Sequence, residues 1–181
     1  MNNVDRTDGL SPHSLRANTA VEETTGSYLS RPARAIFVAG LSCGILDITA
    51  AFVFYGRPLR LLQGIAYGLL GPQAFDGGWV TGMLGLACHF FVAFCASAVF
   101  YLAARKLKFM ARQAIPAGIA YGIVVYTVMQ AVVIPLSRIG RLPFSLSGTV
   151  TGVLIHIVCV GLPISLWMRR FLPYPAYKRS V

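Results

Sequence analysis

The sequence predicts an all-α membrane protein, a bundle of four helices that cross a bilayer, and three observations predict it. Of the 181 residues, 56% are apolar and only 12% are charged, with a mean hydropathy of +0.65, outside the usual range for a soluble domain of this length. Four stretches, residues 35–55, 80–102, 115–134 and 150–167, carry almost no charge over the ~20 residues that a helix needs to cross ~30 Å of hydrocarbon. The 16 Lys and Arg residues gather at the ends of those stretches. Inside lipid every backbone polar group must be paired within its own segment, so the four stretches are helices and not strands.

The formal charge of +10 and the pI near 10.0 would suit a nucleic-acid partner only if the basic residues formed one patch or stripe, and they do not. They report topology instead. Arg6, Arg16, Arg31, Arg34, Arg105, Lys106, Lys108, Arg112, Arg169, Arg170, Lys178 and Arg179 fall on one side of the membrane, against Arg57, Arg60, Arg138 and Arg141 on the other. The positive-inside rule then expects both termini in the cytoplasm, with Trp79 and Trp167 marking interfaces. Residues 1–32 are polar and read as a disordered cytoplasmic tail, 33–170 as the four-span transmembrane domain and 171–181 as a short cytoplasmic tail.

The loop between the first two spans contains Leu59-Arg-Leu-Leu-Gln-Gly-Ile-Ala-Tyr-Gly-Leu-Leu-Gly71, which is apolar but too short to cross. Leu59, Leu62, Ala66 and Leu69 or Leu70 recur at helical spacing. Either a helix lies in the interface as a lid, or the segment dips into the membrane and returns. Pro72 and Gly77-Gly78 break the chain before the second span.

The spans also resemble one another. Residues 39–49 align with 117–127 without gaps, and five of the eleven positions are identical. In the second and fourth spans Gly85 precedes His89 and Gly152 precedes His156 by the same four residues. The expectation is two parallel two-helix repeats related by an axis along the membrane normal. Gly40 with Gly44, Gly118 with Gly122, Gly78 with Gly82 and Gly148 with Gly152 form Gly-xxx-Gly pairs. Together with Gly85 they remove side-chain bulk for close helix packing.

Few polar side chains lie at membrane depth. Asp47, His89 and His156 each sit ~8 to 10 residues, or roughly 12 to 15 Å, from the same end of their helices, and Gln130 lies in the third span. A charge near the bilayer centre costs about 2.5 to 3.5 kcal/mol, so such groups face the bundle interior and pair. Cys43 lies one turn from Asp47, and Cys159 follows His156 by three residues. Pro163 withholds the donor that would bond the carbonyl of Cys159 and bends the fourth helix there. The expected buried polar site is therefore Asp47, His89, His156, Gln130, Cys43 and Cys159.

Three chemistries fit those residues. One is a hydrogen-bonded knot between helices. Another is a proton, ion or small-solute site. The third is haem b held between two histidines, or a divalent metal such as zinc or iron held by Asp47, His89 and His156. The four cysteines have no CxxC spacing, so a disulfide framework or structural zinc site is not expected. There is no Gly-rich phosphate loop, HExxH or GxSxG, which leans against an enzyme.

Leu46-Asp-Ile, Pro58 through Gly71, Ala74-Phe-Asp-Gly-Gly78 and Leu86-Ala-Cys-His-Phe90 resemble a family of small multi-pass proteobacterial inner-membrane proteins with no assigned activity. The resemblance covers most of the chain after the tail and implies a bacterial inner membrane. It carries no functional residue across. The expected partners are the lipid bilayer and either a second copy of the chain or another membrane protein, and no nucleic acid.

Overall fold

The computed structural model describes residues 12–141 and 143–171, with side chains from 31 onward apart from 108 and 111. Tail residues 1–11 and 172–181 lie outside the described residues. All regular structure is helical among the described residues: α1 (Pro12–Tyr55), α2 (Pro58–Leu70), α3 (Gly78–Lys106), α4 (Lys108–Arg112), α5 (Ala114–Leu136) and α6 (Leu146–Phe171). Four of these are long and apolar enough to cross a membrane: Arg31–Tyr55 within α1, and α3, α5 and α6 whole. They cover the four predicted spans, and α3 overruns its span to Lys106. Helix α1 is continuous from Pro12, so residues 12–32, which composition reads as disordered, are helical here.

Local chemistry sets the turns. Gly56 (φ 61°) and Arg57 (φ 44°) adopt left-handed backbone, which stops α1, and Pro58 starts α2 with its ring already at a helical φ. Gly71 (φ 71°) closes α2. Ser145 caps α6, its Oγ accepting from the Gly148 N–H at 3.3 Å.

Two spans are internally irregular. Leu162 N–H reaches back five residues to Ile157 O in a π turn over His156–Gly161, and Ile134 N–H reaches back to Met129 O in another over Met129–Val133. Pro163 and Pro135 each follow such a turn. By lacking an N–H, each leaves a carbonyl free at Cys159 or Ala131 and favours the wider spacing. The irregularity expected beside His156 is present, and its counterpart in α5 has the same cause.

The helices pack by the glycine pairs. Gly44 of α1 receives the Phe90 ring of α3, where an added Cβ would lie 2.7 Å from the ring, and Gly40 receives Phe94. Gly122 of α5 meets the α6 backbone, where a Cβ would lie 2.6 Å from Ile157 Cα, and Gly118 meets Gly161. Phe90 and Ile157 each directly follow their histidine, and Phe94 and Gly161 each lie five residues beyond it. The α1–α3 and α5–α6 pairs therefore pack in the same register, as the sequence repeat predicts.

The densest core sits at the end of the bundle away from α2. Ala35, Ala39, Cys43, Ala93, Phe100, Ala104, Ala117, Tyr121, Val160, Ile164 and Met168 form one buried cluster. Here Tyr121 ties α5 to α3: its hydroxyl donates to Ala96 O at 2.6 Å and its ring meets Phe100 edge-on at 5.0 Å. Toward α2 the same two helices contribute facing walls of a cavity.

Candidate functional site

Helix α2 lies against the first turns of α3, and its two faces do different things. Leu62, Gln63 and Ala66 are buried, with the Leu62 carbonyl in contact with Gly85, which has no side chain to hold it off. Gln63 Nε2 donates to Gly78 O at 3.1 Å. The C-terminal carbonyls of α2 are satisfied from the far loop, since Arg138 N–H donates to Gly68 O at 2.9 Å and its guanidinium reaches Leu70 O at 3.5 Å. The opposite face, Leu61, Gly64, Ile65, Gly68 and Leu69, lines a cavity of about 1010 Å³. The helix is thus fixed to α3 along one face and to the α5–α6 loop at its end, and it covers the cavity as a lid.

The cavity lies where the two halves meet. Its wall takes equivalent positions from each: His89 and His156, Ala93 and Val160, and Asp47 with its aligned counterpart Val125. Asp47 is the one of these six with no polar match in the other half. Cys43 and Cys88 also line it, as do Met129, Val133 and Ile134 of α5. The volume is at the upper end of the ~300–1,000 Å³ typical of ligand pockets, and the lining is mainly apolar, as such sites are.

Both imidazoles are anchored to backbone. His89 Nε2–H donates to Gly44 O on α1 at 2.9 Å, and His156 Nδ1–H donates to Gly152 O one turn back on its own helix at 2.9 Å. A carbonyl only accepts, so each bond fixes which nitrogen holds the proton in the neutral ring. His89 Nδ1 and His156 Nε2 are left as acceptors without a partner among the described residues. The His156 ring also stands edge-on to Tyr126 at 5.4 Å. Asp47 makes no hydrogen bond or ion pair among the described residues.

Of the six expected site residues, four line the cavity and two stand outside its lining. Asp47, His89, His156 and Cys43 share one cavity, but the carboxylate does not pair with either imidazole, because equal depth does not fix the direction in which a side chain points. Cys43 is buried and its thiol donates to Gly40 O at 3.4 Å. Gln130 is exposed and stands outside the cavity, since it follows Met129 by one residue and so lies about 100° round the helix from the wall. Cys159 is half-buried and is likewise absent from the lining.

The metal reading does not fit this geometry. Among the described residues no three His, Cys, Asp or Glu side chains lie close enough to hold an ion. His156 is presented as a ligand would be, with Nδ1 held and Nε2 free, but His89 has its Nε2 spent on Gly44. The two rings do not offer matched axial nitrogens to a haem.

Sequence reasoning missed Gln63, Tyr121, Cys88 and Arg138. Gln63 had a signal, being a polar residue beside the apolar stripe of a short amphipathic helix. Tyr121 had one too, as a hydroxyl in the middle of a span that must find a partner. Comparison with known proteins leaves the site to be read from its own chemistry: no family model, no curated protein and no solved structure matches this chain.

Proposed function

We propose that this membrane protein binds a small solute in the cavity beneath α2, with Asp47, His89 Nδ1 and His156 Nε2 as its polar contacts. A large apolar cavity with its few ionisable groups unspent on one another supports this reading, since a purely structural knot would pair them. The asymmetric distribution of Lys and Arg supports a cytoplasmic location for both termini, and the family resemblance supports a bacterial inner membrane. On that orientation α2 lies on the periplasmic side.

The test uses Cys88, a half-buried thiol in the cavity wall, with Cys43, Cys95 and Cys159 replaced by Ser. In the folded protein Cys88 is expected to react with N-ethylmaleimide, and Val160→Phe, which fills the cavity, is expected to block the reaction. A Cys88 that reacts only after unfolding would overturn the reading.

A further inference from the structure

The cavity is closed at the end of the bundle and open at its side. At the end, α2 is held to α3 through Gln63 and Gly85 and to the α5–α6 loop through Arg138. At the side, lining residues from three helices are also among the most exposed apolar residues of the protein: Leu69 of α2 at 59%, Phe91 of α3 at 69% and Leu136 of α5 at 82%. A side chain that both lines a cavity and is exposed marks its rim. The rim lies between α3 and α5, and the Tyr121 hydroxyl joins the two helices at Ala96, on the edge of the cavity away from α2. On transmembrane helices that gap faces hydrocarbon, so what passes through it must be soluble in lipid.

The polar groups constrain the ligand further. They come from α1, α3 and α6, while the α2 and α5 walls are apolar and Ser137 of the α5–α6 loop adds one hydroxyl. A carboxylate oxygen accepts hydrogen bonds, and so does a ring nitrogen left free when its partner nitrogen donates to a backbone carbonyl, as at His89 and His156. A head that donates can use any of these acceptors along the wall, and an anionic head, which brings no donor, cannot. We infer that the solute is a lipid-like amphiphile with a hydrocarbon body and a hydroxyl or amine head, admitted from the bilayer between α3 and α5. This rests on the cavity reading proposed above.

The test uses the full chain in phosphatidylcholine nanodiscs and three photoreactive hexadecyl probes that end in a hydroxyl, an amine or a phosphate. The hydroxyl and amine probes are expected to cross-link to residues of α2, α3 and α5 that line the cavity, and the phosphate probe about tenfold less, the worth of one charge-assisted hydrogen bond. Asp47→Asn is expected to remove most of the preference for the amine, and Asp47→Glu to restore part of it, which separates the head contact from a folding defect. Ala87→Trp, at an exposed lining position of α3, is expected to slow labelling by all three probes. Equal labelling by the three heads would overturn the assignment of the head. No labelling of the cavity while Cys88 still reacts with N-ethylmaleimide would overturn the amphiphile and leave the cavity reading intact. No labelling with an inert Cys88 would overturn both.

Discussion

The α1–α3 and α5–α6 halves share a packing register and differ in what they do with it. In the first half the glycines of α1 receive aromatic rings, whereas in the second the glycines of α5 meet the α6 backbone directly. His89 ties two helices together, and His156 bonds within its own. Gly85 accepts the backbone of α2, and Gly152 accepts the Tyr126 ring. Asp47 of the first half is matched by Val125 at the equivalent position of the second. A repeated pair of helices thus supplies a symmetric frame, and the first half has been fitted with the lid and the carboxylate that make the cavity chemically one-sided.

Substitutions at matched glycines probe this contrast most strongly. Gly122→Ala pushes a methyl into the Ile157 backbone, which cannot rotate aside, and is expected to cost about 2–3 kcal/mol of overpacking. Gly44→Ala meets only the Phe90 ring, which can turn, and the ~1 kcal/mol gain in helix propensity offsets much of the cost. Reversible unfolding in mixed micelles measures both. Equal losses would show that the two interfaces are not distinguished by backbone contact.

The lid is the next difference. Gln63→Leu removes the bond to Gly78 O, which keeps its bond from the Thr81 hydroxyl at 3.1 Å, an expected loss of about 1 kcal/mol in the docking of α2. Faster hydrogen exchange in α2 than in α3 would report it, whereas uniform exchange across both helices would show that α2 does not open as a unit.

The histidines are expected to differ more gently. His89→Ala breaks a bond between helices and is expected to cost about 0.6–1.7 kcal/mol, the range for such bonds in a membrane. His156→Ala is expected to cost less, because Gly152 O still accepts the His156 backbone N–H. Reversal of that order in the same unfolding assay would contradict the assigned partners. The smallest effect is expected from Asp47→Val, which makes the halves alike. With no partner among the described residues, Asp47 contributes no internal bond there, so its loss should leave stability unchanged or raise it while binding of an amine-headed probe falls.

Much of this was legible in the sequence. The four spans follow from charge-free length, α2 from the spacing of Leu59, Leu62 and Ala66, the shared register from the Gly-xxx-Gly and Gly-xxx-His pairs, and the irregularity at His156 from Pro163. What sequence could not supply was direction. Depth along a helix is a one-dimensional count, whereas the pairing of Asp47, His89 and His156 depends on the rotation of three helices about their axes. Gln130 was placed inside on depth alone, but it lies about 100° round the helix from Met129, which with Val125 and Val133 forms the wall. The tail differs for another reason: its polar composition favours disorder, yet residues 12–32 continue a helix whose spanning part is held by packing.

The most direct test of the central claim, that the two halves enclose one cavity, is a cysteine scan of α5 in a background lacking the native thiols. N-ethylmaleimide reacts with thiolates, which form beside polar groups and water but not in hydrocarbon. Val125→Cys, Met129→Cys and Val133→Cys line the cavity and are expected to react, while Val124→Cys, Val128→Cys and Val132→Cys, on the exposed lipid-facing side, are expected to stay inert. Reaction at the second set, or at neither, would contradict the enclosed cavity.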